Sequence, residues 1–250
     1  MTSPLVIGHR GNSAHAPENT VESFRQALAL GVDGVEFDVR LSADGELVVI
    51  HDPTVDRTTN ASGHVARLTL KQLREFDAGY RFGPTTYPYR DRGITIPTVA
   101  EALDSTAPLP VIIEVKSIEA AEPLVALVRQ RRDEKRVTIG SFVPRALLPF
   151  RRAGMATSAS FDEVRALLAP AVCRFRRAKL PFSMMTIPPA YRGVPLPVGA
   201  LARCIAAAGA SVYLWTINDP AEAVRFWHRG VRGILSDDPG AMIEARRRIG

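Results

Sequence analysis

Strand-like and helix-like segments alternate along most of this chain, and that alternation limits the fold more than any other feature. Short apolar runs predict strands at residues 5–8, 35–41, 111–115, 137–141, 156–160, 182–187, 212–217 and 233–236. Amphipathic stretches fall between them. One opens at Glu18-Asn19-Thr20 and stops at Gly31; others cover about 98–103, 119–131, 145–152, 161–168 and 241–248. A strand followed by a helix and another strand makes a parallel α/β sheet. Eight such strands in 250 residues match a closed TIM (β/α)8 barrel.

One pair breaks the rule. Residues 42–46, with Asp44-Gly45, are too short to carry a parallel crossover, so 35–41 and 47–51 are expected as an antiparallel hairpin. From 53 to 97 the alternation lapses into a polar, turn-rich stretch with a short helical piece near 70–76 and the aromatics Tyr80, Phe82, Tyr87 and Tyr89. A stretch this long inside a compact domain is functional or carries its own structure. The chain is therefore read as a single barrel domain over 1–250, with 53–97 inserted in it.

Composition narrows the partners. The apolar share is 46%, and no segment reaches the roughly 18 uncharged apolar residues that span a bilayer. The nearest approach, 198–215, contains Arg203 and breaks at Gly209, which suits a helix followed by a buried strand. The start of the chain lacks the pattern of a signal peptide, so cytoplasmic residence is expected without stable membrane insertion. The net charge is +6, with basic runs at 129–136, 174–177 and 246–248. These read as solvated helix faces, and without interleaved aromatics they do not make a nucleic-acid platform. A mildly positive surface does help attract an anionic substrate. Cys173 and Cys204 are far apart, lack metal-ligand spacing and read as small core residues.

The chemistry gathers at expected strand ends. Glu36 and Asp38 are two apart on one strand, so they share a face while Phe37 points away. Two carboxylates inside a barrel are costly without a partner and tend to take up protons. Two arrangements relieve this: a hard divalent cation such as Mg²⁺ or Ca²⁺, or pairing with Arg10 or Lys116. Glu114 and Lys116 alternate in the same way on a later strand. Glu114 is a candidate third ligand and Lys116 a candidate point charge for a phosphate oxygen. The competing arrangement is a buried ion pair that serves only the fold.

His9 and His51 are the natural proton carriers, because imidazole titrates near neutrality and one can donate while the other accepts. Arg10 adds a fork-shaped donor suited to phosphate. His15, His64 and His228 lack such company and read as non-catalytic. Trp215 ends a late strand; it either packs in the core or walls the site and touches the substrate's carbon skeleton.

In combination these residues resemble the glycerophosphodiester phosphodiesterase family, nearly end to end. The likeness runs through His9-Arg10-Gly11-Asn12, Ala16-Pro17-Glu18-Asn19-Thr20, Gly34-Val35-Glu36-Phe37-Asp38-Val39 and His51-Asp52-Pro53-Thr54 with Asp56-Arg57-Thr58-Thr59. It continues through Ile96-Pro97-Thr98, Ile113-Glu114-Val115-Lys116 and Trp215-Thr216-Ile217-Asn218, and closes on Gly233-Ile234-Leu235-Ser236-Asp237. Phe37 and Ser236 replace residue types more common in the family, both without expected consequence.

The resemblance implies a TIM barrel and a divalent metal (Mg²⁺ or Ca²⁺) held at Glu36, Asp38 and Glu114. It implies acid–base work by His9 and His51, with Arg10 and Lys116 around the phosphate. The implied reaction is hydrolysis of a small-molecule glycerophosphodiester to an alcohol and glycerol 3-phosphate. A second reading keeps the barrel and metal but takes lysophospholipids, as a lysophospholipase D would; it predicts a larger exposed apolar surface near the insertion. A third is a non-catalytic binder of glycerol phosphate groups, which predicts binding without turnover. Head-group preference, the metal's identity, the nucleophile, the division of labour between the histidines and the oligomeric state stay open at this level.

Overall fold

A computed structural model describes residues 3–168 and 180–249. Its strands are β1 (Leu5–His9), β2 (Gly34–Leu41), β3 (Leu47–Val49), β4 (Val111–Val115), β5 (Val137–Gly140), β6 (Met184–Ile187), β7 (Ala190–Tyr191), β8 (Val194–Pro195), β9 (Ser211–Leu214) and β10 (Gly233–Ser236). Its α-helices are α1 (Val21–Leu30), α2 (Leu70–Arg74), α3 (Val99–Thr106), α4 (Ala121–Arg131), α5 (Leu148–Arg152), α6 (Phe161–Leu167), α7 (Val198–Ala207), α8 (Pro220–Trp227) and α9 (Pro239–Arg247). Cys173 and the basic run 174–177 lie outside the described residues; Cys204 is half-buried on α7.

The parallel strands run in the order β5-β4-β2-β1-β10-β9-β6. Expectation and structure differ at 156–160, which forms no ladder. Instead Thr157 bridges Ile139 and Ser158 bridges Met184, both in parallel, so this short segment joins β5 to β6 and closes the ring. The physical reason is composition: Ala156-Thr157-Ser158-Ala159-Ser160 has almost no branched or aromatic side chains to pack a pleated surface. The architecture is the expected barrel, with seven regular parallel strands and an eighth, rudimentary stave. The hairpin is present too, with Val39 facing Val49 and Leu41 facing Leu47 in antiparallel register.

Helix ends follow their local chemistry. The Thr20 side chain accepts a hydrogen bond from Ser23 N at the start of α1, and Gly31 ends it at φ 82°, a left-handed position that glycine adopts freely. Thr98 and Ser160 open α3 and α6 with reciprocal capping boxes to Glu101 and Glu163.

Period-two alternation sorts the strands into two faces. Val35, Phe37 and Val39 point outward into the main core, where the Phe37 and Phe24 rings are 5.6 Å apart. The other parity points into the barrel, where Ile7, Ile112, Tyr213 and Leu235 form a second, internal cluster. Each of these rows continues towards the strands' C-terminal ends. Ile7 leads to His9, Ile112 to Glu114 and Lys116, Tyr213 to Trp215, Leu235 to Asp237, and β2 contributes Glu36 and Asp38. The parallel register then sets His9 beside Glu36 and Asp38 beside Glu114. Ligands bind at this end of such barrels.

The 53–97 stretch packs around a small cluster of its own, in which Val55, Val65, Leu73, Ala78 and Ile96 join Val48 and Ile50. Its aromatics are engaged. Arg90 lies 4.0 Å from the Tyr80 ring centroid and 3.7 Å from that of Tyr87, while Phe82 meets Tyr89 edge-on at 5.3 Å.

Candidate active site

One cavity of about 330 Å³ opens at the C-terminal end of the barrel, and His9, Arg10, Glu36, His51, Glu114, Lys116 and Trp215 all line it. Asp38 lies just behind, 1% exposed. The eight residues singled out from the sequence are therefore gathered in one place. His15, His64 and His228 are exposed and do not line the cavity.

The His-Arg-Gly turn is built by backbone geometry. Arg10 at φ 55° and Gly11 at φ 91° take successive left-handed conformations as the chain leaves β1. A Cβ on Gly11 would stand 2.3 Å from Ser23 Oγ, so this close approach to α1 admits only glycine. The turn aims the Arg10 backbone N–H at Glu36 Oε2, 3.1 Å away, and brings Arg10 Nε to 3.2 Å from Asp38 Oδ2.

Carboxylate oxygens of Glu36, Asp38 and Glu114 lie within 4.8 Å of one another. Lys116 Nζ donates to Glu114 Oε1 at 2.6 Å and stands 2.8 Å from Asp38 Oδ1. Asn19 Nδ2 donates to Asp38 Oδ2 at 2.8 Å, and Asn19 Oδ1 accepts from the Asp38 backbone N–H. Burial would raise Asp38, but Lys116, Arg10 and the Asn19 hydrogen bond hold it below the usual carboxylate range. Glu36 goes the other way. Burial, then the charges of Asp38 and Glu114, push it up to about 8 despite His9 and Arg10. Burial lowers Lys116, but Asp38 and Glu114 together hold it above its ordinary value. Three acids against two fixed cations leave one negative charge short of a partner in a buried site, and Glu36 bears the cost. Oxygen donors with surplus negative charge are what a hard divalent cation takes, so this triad fits one.

Each histidine is oriented by an aspartate. His9 Nδ1 lies 2.6 Å from Asp237 Oδ1, and His51 Nδ1 lies 2.7 Å from Asp52 Oδ1. A carboxylate can only accept, so Nδ1 carries the proton in both rings and Nε2 is left for chemistry. His9 Nε2 is 3.9 Å from Glu36 Oε2. Burial lowers His9, yet the Asp237 hydrogen bond and the nearby Glu36 outweigh it, and His9 ends above its ordinary value. Burial acts against Asp237 as well, but His9, Asn218 and Ser13 bring it down to about 2.

Several members of this arrangement had no role in the sequence reading. Asp237, held by Ser13 Oγ at 2.9 Å and Asn218 Nδ2 at 2.8 Å, is one. Its strand parity with Leu235 was the available signal. Glu18 is another. It accepts from Arg10 Nη1 at 2.9 Å and from both terminal nitrogens of Arg57, whose Nε donates to Asp52. A chain of ion pairs thus connects Arg10 to His51. Sequence offered no cue that these segments meet.

The sequence pattern of the glycerophosphoryl diester phosphodiesterase family matches residues 9–241. A glycerophosphodiester phosphodiesterase from Caldanaerobacter subterraneus subsp. tengcongensis is 34% identical over 98% of this chain and 99% of its own length. Among solved structures, an Oleispira antarctica phosphodiesterase in complex with the product sn-glycerol-3-phosphate superposes with a TM-score of 0.81 at 27% identity, covering 97% of this chain and 96% of that one. A glycerophosphodiester phosphodiesterase from Agrobacterium tumefaciens gives 0.78 at 27% identity over 98% and 99%.

Proposed function

Because the chain belongs to the glycerophosphoryl diester phosphodiesterase family, we propose that it hydrolyses glycerophosphodiesters to an alcohol and glycerol 3-phosphate. The observation that carries this reading is the convergence of three carboxylates, a lysine, an arginine and two aspartate-oriented histidines on one cavity. The product named in the Oleispira antarctica complex is the one this reaction would release.

Glu36, Asp38 and Glu114 would hold a divalent cation, Mg²⁺ or Ca²⁺, which supplies charge neutralisation at phosphate oxygens when bound. Lys116 provides a point charge beside it. Arg10 adds a second fixed positive charge, its guanidinium held at the cavity by Asp38 and Glu18. These fixed cations stabilise negative charge on the non-bridging oxygens as the transition state forms. One histidine gives its Nε2 proton to the departing alkoxide while the other takes a proton from the nucleophile through Nε2. The nucleophile is either water or the neighbouring glycerol hydroxyl; the latter route passes through a cyclic phosphate.

Release of glycerol 3-phosphate from a panel of glycerophosphodiesters, with and without a chelator, tests the reading. Turnover that a chelator abolishes and added cation restores supports it. Binding of glycerol 3-phosphate without turnover of any panel member overturns it. A search for the cyclic product among the early products of turnover separates the two nucleophiles.

A further inference from the structure

The cavity has a second wall of different character from the carboxylate cluster. Helix α6 and the segment around the β7–β8 hairpin supply Phe161, Val164, Leu168, Tyr191 and Leu196. The Phe161 and Tyr191 rings pack at 5.8 Å with a 53° tilt. Phe142 meets Trp215 edge-on at 5.5 Å in the same cavity. Four of these large apolar side chains are exposed: Phe142 58%, Tyr191 45%, Phe161 42% and Leu168 37%. Large apolar groups left open around one concavity mark a surface that is covered when its ligand binds.

The charges at this wall narrow the ligand. Among the described residues that α6 and the hairpin contribute to the cavity, none is acidic, and the charged one is Arg165. Arg192 flanks the wall without lining the cavity, 5.6 Å from the Tyr191 ring centroid. A cationic head group placed here would find no carboxylate lining this wall, since Asp162, which pairs with Arg165 at 3.7 Å, does not line the cavity. The glycerol 3-phosphate part of a substrate has hydroxyls and charged oxygens that an apolar wall cannot satisfy, whereas the carboxylate end offers donors and acceptors. The departing alcohol is the part left to face α6 and the hairpin.

Resting on the hydrolytic reading above, we infer that this wall binds a hydrocarbon chain carried by the departing alcohol, so that alkyl-bearing glycerophosphodiesters are preferred over those with small polar or cationic alcohols. The alternative lysophospholipase D reading of the sequence would require an exposed apolar surface near the 53–97 insertion. The exposed apolar residues that line the cavity belong to α6 and the segment around the hairpin.

The test is a series of glycerophospho-n-alkanols from methyl to hexyl, kept below their micellar concentrations, with glycerophosphoglycerol and glycerophosphocholine alongside. We expect kcat/KM to rise about two- to fourfold per methylene, the range for partial to full burial of a CH₂ group. Tyr191→Ser and Phe161→Ser each should flatten that rise. Each variant is compared only with itself across the series, so a general loss of activity cancels. A flat series in the native chain, a preference for glycerophosphocholine over the hexyl ester, or an unchanged slope in both variants overturns the inference. So does a chain-length effect seen only above the micellar concentration, which would make the patch an interfacial surface. Turnover with a flat series leaves the phosphodiesterase reading standing; no turnover on any member removes both.

Discussion

The imidazole of His9 and the carboxylate of Asp237 meet at 2.6 Å although 228 positions separate them in the chain. The contact exists because β1 and β10 are neighbours in the closed ring, with Gly8 paired to Ser236. Asp237 fixes the His9 tautomer and ring orientation, and Asn218 and Ser13 fix Asp237 in turn. Asp237→Asn should keep the fold and lose the orienting charge. We expect kcat to fall roughly tenfold or more, approaching the roughly hundredfold loss expected for His9→Ala. Combining the two changes should cost little beyond His9→Ala alone. Additive losses would show that Asp237 acts elsewhere.

The same pair sets a pH window for stability in the chelated apoprotein. His9 is raised above its ordinary 6.5, so its share is fully present below 6.5 and disappears as pH rises through the higher folded value. Asp237 is lowered to about 2 from 3.8, so its share is present above 3.8 and disappears as pH falls towards 2. The Tm difference between the native chain and Asp237→Asn should therefore be largest between pH 3.8 and 6.5 and shrink on either side. Thermal melts across that range check it, and a difference independent of pH would contradict the coupling.

Glu36 predicts an inversion that depends on cation. Its carboxyl is pushed up to about 8 from 4.5 by burial and by Asp38 and Glu114. Between those values the folded apoprotein holds a proton that the unfolded chain releases, so apoprotein stability rises as pH falls from 8 towards 4.5. At neutral pH, Glu36→Gln should melt higher than the native apoprotein. With saturating Mg²⁺ or Ca²⁺ the order should reverse. A ligand at a hundred times its Kd adds about 2.7 kcal/mol, or about 5 to 10 °C at this size, and the variant forfeits much of that. Paired melts with cation and with chelator measure both signs. A variant less stable in both conditions would show that Glu36 supports the fold and not a cation.

What sequence made legible follows from range. Glu36 with Asp38, and Glu114 with Lys116, were readable because period-two alternation is local and places each pair on one face. The barrel was readable because the strand–helix rhythm repeats along the chain. Other features depend on contacts between remote segments. Glu18 finds Arg57 at 39 positions' distance, so the ion-pair chain from Arg10 to His51 leaves no local trace. The eighth stave is two bridging residues, Thr157 and Ser158, in a run of small side chains where only Thr157 is β-branched. The β7–β8 hairpin is two residues on each side, shorter than any periodicity can reveal. The aromatics of the insertion left open whether it carries an apolar surface for lipid; in the structure Arg90 stacks on Tyr80 and Tyr87 while Phe82 meets Tyr89.

The barrel interior gives a last prediction, independent of the chemistry. Gly233 has an ordinary strand conformation, so freedom of backbone angle is not why glycine stands there. A Cβ at that position would lie 2.2 Å from the Tyr213 ring, which fills the space inside the barrel between β9 and β10. Gly233→Ala must push that ring or the strand aside, and overpacking of this kind costs about 1 to 3 kcal/mol. Tyr213→Leu removes the obstructing ring and on its own leaves a void. In the Tyr213→Leu background, Gly233→Ala should be close to neutral, giving a coupling of at least about 1 kcal/mol in a double-mutant cycle. Denaturant titration of the four proteins measures it. Equal losses in both backgrounds would mean that Gly233 is required by something other than the ring, and the parity that puts Tyr213, Leu235 and the site residues inside the barrel would need revision.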